Sequence, residues 1–164
     1  MSATTPVRPD PAAWHHQHTV RVYWEDTDAG GIVFYGNYLK FMERARTEWL
    51  RTIGFEQETM RKAGEGMFIV ADTQLRYLRP AKLDDLLTVS VTIREIGRVS
   101  VVFEQTVWRG DTLLTQGQIR IGWVEPRAAD AASQTDSDQD AFRPGRIPAR
   151  ILARLPAPKP VIGG

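Results

Sequence analysis

Two aspartates, Asp26 and Asp28, lie between a strand-like run and the start of a strongly amphipathic helix. A carboxylate can attack a carbonyl carbon directly, or it can remove a proton from an attacking water. Free backbone N–H groups at a helix N-terminus can stabilise the negative charge that develops on the carbonyl oxygen. Gly30 and Gly31 let the chain turn sharply and keep bulk away from a substrate. This spacing predicts a site for attack on a carbonyl group, although aspartates in such a loop are equally typical of turns and helix caps.

The segment from Trp24 to Tyr38 resembles the active-site signature of hotdog-fold acyl-CoA thioesterases of the 4-hydroxybenzoyl-CoA thioesterase type. The likeness is greatest to the Tol–Pal-associated branch of that family. It extends over about Val20 to Val124 and includes the stretch from Arg76 to Asp85. The resemblance is specific in the loop and the following helix, and it is only generic in the strands.

In the enzymes that this segment resembles, the second aspartate of the motif carries the chemistry, and that residue is Asp28 here. The resemblance therefore implies that Asp28 is the nucleophile or the general base. It also implies that the backbone N–H of Tyr35 or Gly36 holds the oxyanion, and that Asp26 is structural. Many members of the Tol–Pal branch have histidine where this chain has Tyr35, so only a backbone role is transferred to that position.

Four residues are predicted to contact the substrate, and these are Gly30, Gly31, Lys82 and Arg98. The two glycines lie in the carboxylate loop. Arg98 lies at a predicted turn, and basic residues in this region of related thioesterases contact the nucleotide phosphates of coenzyme A. A guanidinium suits a phosphate by geometry and charge, and Lys82 is a weaker candidate of the same kind. From the pattern alone, a solvated turn arginine is an equally good interpretation of Arg98.

Hydrophobic periodicity predicts the elements that must position these residues. Thr19–Glu25 alternates apolar and polar side chains, which predicts a strand. The helix that follows has Asn37 as its expected N-cap and Gly54 as its stop, and its apolar stripe consists of Tyr38, Phe41, Met42, Ala45, Trp49 and Ile53. A short helix is predicted over 55–63, and further strands are predicted over 67–78, 87–94, 100–109 and 113–124. One long helix with several antiparallel strands predicts an α+β fold with the sheet wrapped around the helix, which is the hotdog arrangement.

Composition divides the chain into three zones. Residues 1–17 are polar and proline-bearing and predict a flexible N-terminal tail. Residues 18–126 are expected to form the hotdog domain, and residues 127–164 a partly disordered C-terminal tail. Within this tail, 128–141 has few apolar side chains, whereas 143–155 is basic and mildly amphipathic. The basic stretch is expected to pack loosely on the domain; the alternative is contact with an anionic membrane or a partner.

Composition also excludes several classes of function. Lys and Arg total 21 against 20 Asp and Glu, so the net charge of +1 gives no case for nucleic-acid binding. The absence of cysteine removes disulfides, thiolate metal sites and a Cys nucleophile, and it fits a cytoplasmic location. No apolar run is long enough to span a bilayer. The three histidines, His15, His16 and His18, cluster at the predicted tail, so we expect no metal site and no bound cofactor.

These features together predict an enzyme that hydrolyses an acyl-CoA thioester to the free acid and coenzyme A, with acyl carrier protein as an alternative carrier. Hotdog ligand sites form between subunits, so the resemblance implies a homodimer or a homotetramer. Two other functions stay open. One is a non-catalytic acyl-CoA binding module, and the other is a cell-envelope interaction protein that acts through its basic C-terminal tail.

Overall fold

A computed structural model describes residues 4–127 and 141–160 of the chain. Across these residues the chain forms one long helix, two short helices and six strands. In chain order they are β1 (His16–Arg21), α1 (Asn37–Thr52), α2 (Gln57–Lys62), β2 (Met67–Tyr77), β3 (Leu86–Ile96), β4 (Ser100–Arg109), β5 (Thr112–Pro126), β6 (Phe142–Pro144) and α3 (Ala149–Leu152). Residues 128–140, which make up nearly all of the stretch 128–141 with few apolar side chains in the predicted disordered tail, lie outside the described residues.

The strands form one antiparallel sheet in the order β1-β3-β4-β5-β2, and β6 pairs with the end of β5. β4 and β5 are joined by a tight hairpin at Gly110-Asp111, between the strands predicted over 100–109 and 113–124; Arg109 pairs with Thr112, and Gly110 has a φ of +55°. The helix α1 packs against the sheet and supplies much of the main core. The arrangement is therefore the predicted α+β fold, with one long helix against an antiparallel sheet.

The apolar stripe of α1 is buried as its periodicity predicts. The buried members of the stripe are Tyr38, Phe41, Met42, Ala45 and Trp49. Gly54 follows the helix with a φ of +93°, a conformation that favours glycine and ends the helix. The sequence alone therefore predicts this long helix, which follows the carboxylate loop directly.

The start of α1 differs from the prediction by one residue. The helix begins at Asn37, and Gly36 occupies the cap position. Asn37 is therefore not the N-cap: its side-chain Nδ2 donates a hydrogen bond to the carbonyl oxygen of Asp26 at 2.9 Å. This bond ties the first turn of α1 to the loop that precedes it.

The strand before the loop begins and ends earlier in the chain than the predicted Thr19–Glu25. β1 ends at Arg21, and Trp24–Asp26 form a 3-10 turn instead of continuing the strand to Glu25. The Asp26 carboxylate closes this turn by accepting the backbone N–H of Tyr23 at 2.8 Å. In the predicted strand, Trp24 would have faced the core. The 3-10 turn points its side chain outward instead, and Trp24 is 80% exposed.

The packed unit continues beyond residue 126. β6 extends the sheet, and Ile147 and Ile151 lie in the main core with exposures of 3% and 0%. The Ile147 N–H also donates to the carbonyl oxygen of Arg98 at 2.9 Å. The prediction that 143–155 packs loosely on the domain is therefore wrong, because two isoleucines from this stretch are buried in the main core.

The packed unit also begins before residue 18. Trp14 is buried with Trp108 and Leu113 in a second, smaller core cluster. The Arg8 guanidinium lies 5.6 Å from the centre of the Trp14 ring and donates to the carbonyl oxygen of Gly110. The predicted flexible tail is therefore docked on the sheet over residues 8–15, because one tryptophan in a polar stretch finds an apolar partner across the fold.

His15 joins three segments just before β1. Its Nδ1 accepts the backbone N–H of Ile93 at 2.9 Å, and its Nε2 lies 3.0 Å from the carbonyl oxygen of Ala157. Since Nδ1 is the acceptor, the neutral ring carries its proton on Nε2 and donates it to Ala157. Burial lowers the pKa of His15 from its usual value of 6.5, and the charges of Lys159 and Arg94 act in the same direction. The folded chain therefore favours a neutral His15.

We expect the free energy of unfolding to decrease as the pH falls below 6.5, because the unfolded chain binds a proton that folded His15 disfavours. The decrease begins at the unfolded pKa and continues down to the lowered folded pKa. Urea titrations of the wild type and His15→Gln at about pH 7.5 and about pH 5.5 measure this effect. The variant should lose less stability between the two conditions. His16, whose pKa burial also lowers, contributes to both proteins, and an equal loss in both would assign the effect to other groups.

Candidate active site

Asp28 lies in the loop between β1 and α1 and is exposed. Its Oδ1 accepts the backbone N–H of Gly30 at 2.8 Å, and its own N–H donates to the carbonyl oxygen of Ile32 at 2.9 Å. Gly31 completes the turn with a φ of +74°, a left-handed conformation that favours glycine. Among the hydrogen bonds of residues 4–127 and 141–160, none reaches the second carboxylate oxygen, Oδ2. The loop thus holds the Asp28 backbone firmly and leaves one oxygen available for chemistry.

The Asp28 loop is held by one bridge within itself and by contacts to the segment between β2 and β3. Thr27 pairs with Val33 across the loop, and Ile32 forms a β-bridge with Lys82. The Val33 N–H donates to the carbonyl oxygen of Ala81 at 2.9 Å. These contacts fix the position of the carboxylate relative to the segment between β2 and β3.

Asp26 holds the base of the loop. It is buried, its carboxylate binds the Tyr23 N–H, and its carbonyl oxygen accepts the N–H of Phe34 at 2.9 Å. The same carbonyl accepts the Asn37 side chain. Each of these hydrogen bonds is internal to the fold and ties the loop to the start of α1.

The start of α1 supplies backbone donors. Within the described residues, the N–H groups of Tyr35 and Gly36 donate to no acceptor. They precede a helix of 16 residues, whose aligned peptide dipoles place partial positive charge at this end. The carbonyl oxygen of Tyr35 accepts the hydroxyl of Tyr77 at 2.9 Å. Two unpaired donors and a helix dipole together favour a developing negative charge here.

A cleft of about 460 Å³ brings the carboxylate and the helix start together. Its lining residues are Glu25, Thr27, Asp28, Phe34, Gly36, Asn37 and Lys40. A carbonyl group bound in this cleft would lie between the Asp28 carboxylate and the N-terminus of α1. This arrangement suits attack on the carbonyl carbon with stabilisation of the oxygen.

A second cleft of about 460 Å³ lies between the end of α1, α2 and α3. Its charged residues neutralise one another, because Arg51 pairs with Glu56 at 3.2 Å and Arg150 pairs with Glu65. It contains no carboxylate beside the start of a long helix. The Asp28 cleft is therefore the stronger candidate for an active site.

The structure brings some of the predicted substrate contacts together and separates others. Gly30 and Gly31 lie in the Asp28 loop, and Lys82 is bridged to that loop through Ile32. Arg98 lies in the turn after β3, at the opposite end of a strand that spans about 33 Å. Within one chain, Arg98 is therefore not part of the Asp28 cleft.

The sequence pattern did not identify Glu25, Lys40 or Tyr77 as residues of this site. Lys40 could have been found, because it lies one helical turn after Gly36 and so shares its side of α1. No local sequence pattern links Tyr77 to the site, because it lies at the end of β2 and the tertiary fold brings its hydroxyl to the carbonyl oxygen of Tyr35.

Two negative findings concern the described part of the chain. Over residues 4–127 and 141–160, no group of three or more His, Cys, Asp or Glu side chains is arranged to hold a metal ion. None of the helices in these residues combines the length and apolarity needed to cross a membrane.

Comparison with known proteins gives the family. Residues 30–116 match the Thioesterase superfamily. Acyl-CoA thioesterase YbgC of Haemophilus influenzae is 42% identical over 106 residues, which are 65% of this chain and 78% of that protein. A probable thioesterase from Bartonella henselae matches in structure with a TM-score of 0.69 and 28% identity, over 81% of this chain and 98% of that one. The 4-hydroxybenzoyl-CoA thioesterase of Pseudomonas sp. strain CBS-3 shares the fold, with a TM-score of 0.69 and 20% identity over 85% of this chain and 97% of that one.

The chain therefore belongs to the thioesterase superfamily. Its fold is the hotdog fold that the sequence predicts. The protein is a thioester hydrolase, and its cleft contains the two features that such chemistry needs, a carboxylate and a set of backbone donors.

Proposed function

We propose that this protein hydrolyses acyl-CoA thioesters to the free acid and coenzyme A, with Asp28 as the nucleophile or the general base. The N–H of Tyr35 or Gly36 holds the oxyanion. The observation that carries the proposal is the shared cleft, in which an exposed carboxylate lies beside the start of α1. The H. influenzae relative is an acyl-CoA thioesterase, which supports coenzyme A as the carrier.

Two routes fit this geometry. In the nucleophilic route, Asp28 Oδ2 attacks the thioester carbon, and the C–S bond breaks to give an acyl anhydride on Asp28 and a thiolate. The thiolate takes a proton from a water molecule, and the resulting hydroxide hydrolyses the anhydride to the free acid and restores the carboxylate. In the general-base route, Asp28 removes a proton from the attacking water and later returns it to the thiolate. In both routes the oxyanion forms against the start of α1, and the net reaction consumes one water.

The direct test is release of free thiol by the purified protein from a panel of thioesters. Acetyl-CoA, butyryl-CoA, palmitoyl-CoA and benzoyl-CoA sample short, long and aromatic acyl groups. Acyl carrier protein thioesters with the same acyl groups test the alternative carrier. Turnover of any member supports hydrolysis. Binding of acyl-CoA without release of thiol from any of these thioesters would contradict coenzyme A as the carrier of the hydrolysed acyl group.

We also propose that the active form is a homodimer joined through β2. Among the described residues β2 pairs only with β5, so its other edge presents unpaired backbone groups. Ile69, Val70 and Tyr77 on this strand are 44%, 51% and 46% exposed, which is unusual for large apolar side chains in a sheet. An antiparallel β2 from a second copy would pair this edge. A homotetramer would need a further interface.

Such a dimer gives Arg98 access to the site. A two-fold axis at β2 reverses the strands of the second copy. The turn between β3 and β4 of that copy then lies at the end of the joint sheet that holds the Asp28 loop. Arg98 from one copy is therefore positioned to meet the nucleotide phosphates of a substrate bound to the other.

We expect Arg98→Ala to raise the KM for acyl-CoA much more than it lowers kcat. A phosphate contact far from the breaking bond binds ground state and transition state about equally. The effect should weaken as salt rises, since charges are screened beyond roughly 10 Å at 0.1 M ionic strength. Steady-state kinetics of the wild type and variant measure it, and sedimentation equilibrium reports whether both are dimers of the 18.5 kDa chain.

The control for Arg98→Ala is a truncated thioester without the nucleotide, whose KM the substitution should leave unchanged. An unchanged KM for intact acyl-CoA would remove Arg98 from the site. It would leave the proposed role of Asp28 untouched.

The contacts of the basic C-terminal stretch favour the enzyme over an envelope interaction protein. Arg150 pairs with Glu65, and Arg154 donates to the carbonyl oxygen of Ile53 and lies over the Phe55 ring. These arginines are thus engaged within the fold. We place the enzyme in the cytoplasm, which the absence of cysteine supports.

A further inference from the structure

The side chain of Asn37 closes the base of the Asp28 loop. Its Nδ2 donates to the carbonyl oxygen of Asp26 at 2.9 Å, and the backbone N–H of Phe34 donates to the same oxygen at 2.9 Å. A carbonyl oxygen has two lone pairs, so these bonds fill its capacity to accept. Asn37 is 7% exposed and lines the cleft beside Asp28. A buried amide therefore joins the first turn of α1 to the residue that lies two positions before the candidate catalytic carboxylate.

The closed loop, residues 26–37, carries both features that the proposed chemistry uses. The Asp28 carboxylate lies near its beginning, and the start of α1 forms its end. The bonds of the Asp28 backbone to Ile32 and Gly31, at 2.9 and 3.0 Å, shape the turn around the carboxylate but do not reach the helix. The bond from Asn37 does reach it, because Asn37 is the first residue of α1.

We infer that Asn37 is a positioning residue that sets the distance between the Asp28 carboxylate and the start of α1. The inference rests on the proposed function, in which the thioester carbonyl lies between these two features. Asn37 acts through the Asp26 carbonyl and the loop that follows it. The same bond explains why an asparagine is buried at this helix start, although Gly36 occupies the cap position.

Loss of the bond should affect the rate more than the stability. When Asn37 is replaced, the Asp26 oxygen keeps its bond from Phe34, so no buried carbonyl is left without a donor. The start of α1 is then free to shift relative to Asp28. The rate of the chemical step depends steeply on the alignment of the reacting groups, whereas binding of the ground state depends on it less. The expected effect is therefore on kcat and not on KM.

The variant Asn37→Ala removes the donor completely. With the panel thioester that the wild type hydrolyses best, kcat should fall by about 10- to 100-fold, the usual cost of a small misplacement of the reacting groups. KM should change less than about twofold. Urea unfolding of the variant verifies that it is folded under the assay conditions.

The variant Asn37→Asp makes the same bond depend on pH. A protonated carboxyl group can donate to the Asp26 oxygen, whereas an ionised one repels it. The ratio of the variant's kcat to that of the wild type should therefore rise as the pH is lowered from about 8 to about 5. Glu25, Asp28 and Lys40 line the same cleft and titrate in both proteins, so the ratio removes their contribution.

Two controls separate positioning from a structural role. The corresponding ratio for Asn37→Ala should stay constant with pH, because alanine has no donor at any pH. Gln118→Glu makes the same replacement of an amide by a carboxyl group at an exposed position of β5. It should have wild-type kinetics at each pH. A structural role alone would lower the stability of both Asn37 variants and would not make the kcat ratio of a folded Asn37→Asp rise at low pH.

The outcomes separate this inference from the proposed function. A folded Asn37→Asp with a kcat ratio that does not change with pH, or a kcat near the wild-type value in Asn37→Ala, overturns the role of Asn37. If Asn37→Asp does not fold, the kcat and KM of Asn37→Ala decide. An inactive Asp28→Asn beside either negative result leaves the proposed function standing, whereas an active Asp28→Asn overturns the proposed function itself. A reduced kcat with a nearly constant KM, together with a ratio that rises at low pH, supports the inference.

Discussion

Replacing Asp28 by asparagine should lower kcat by at least about 100-fold, the usual cost of losing a group that transfers a proton in the transition state. The amide keeps the shape of the carboxylate but is a poor nucleophile and a poor base. Asn can still accept the Gly30 N–H through its side-chain oxygen, as Asp28 Oδ1 does at 2.8 Å, so the loop should keep its conformation. Thiol-release kinetics measure the loss, and circular dichroism with urea unfolding verifies the fold.

The control for this change is Asp26→Asn. Asp26 is buried at the base of the same loop, and its hydrogen-bond partners among residues 4–127 and 141–160 are backbone groups and the Asn37 side chain. Its replacement should reduce stability more than kcat, because a charge-assisted bond to the Tyr23 N–H becomes a neutral one. Near-normal turnover in Asp28→Asn, or a larger loss of kcat in Asp26→Asn, would show that the catalytic carboxylate is misassigned.

The second large effect is on stability. Ile151→Ala should lower the free energy of unfolding by about 2–5 kcal/mol, the usual cost of truncating a buried isoleucine and leaving a cavity. Ile151 is fully buried in the main core, although it lies near the end of the chain. Urea denaturation monitored by tryptophan fluorescence measures the change, and the denaturant slope should stay constant if the native state remains compact.

Ala153→Ser is the matched control, since Ala153 follows the same short helix but is exposed. It should change stability by less than about 0.5 kcal/mol. Equal stabilities for Ile151→Ala and the wild type would mean that the C-terminal stretch is detached in solution. In that case the predicted boundary near Pro126 would be the better description of the folded domain.

The parts of the fold that the sequence predicts well are those with local causes. The apolar stripe of α1 repeats at helical spacing, which predicts the helix. Gly54 and Gly110 adopt conformations that favour glycine, so the end of α1 and the turn between β4 and β5 also depend on neighbouring residues. The carboxylate loop was recognised for the same reason. Its aspartates, glycines and helix start lie within one continuous segment of chain.

The parts that the sequence did not predict depend on distant contacts. Ile147 and Ile151 follow a polar stretch, so nothing local indicates that they complete the core. The bond from Tyr77 to Tyr35 joins residues 42 positions apart, and no periodicity encodes it. The sequence also does not reveal that the length of β3 separates Arg98 from the Asp28 loop of its own chain.

In the proposed mechanism, the Asp28 carboxylate is the group that hydrolyses bound acyl-CoA to the free acid and coenzyme A. The most direct measurement compares binding with turnover: calorimetric titration of the best panel thioester into Asp28→Asn, beside single-turnover thiol release by the wild type. We predict that the variant binds the thioester with a Kd close to the KM of the wild type and releases no thiol, while the wild type releases one thiol for each thioester bound. Release of thiol by the variant at the wild-type rate would rule out Asp28 as the catalytic carboxylate.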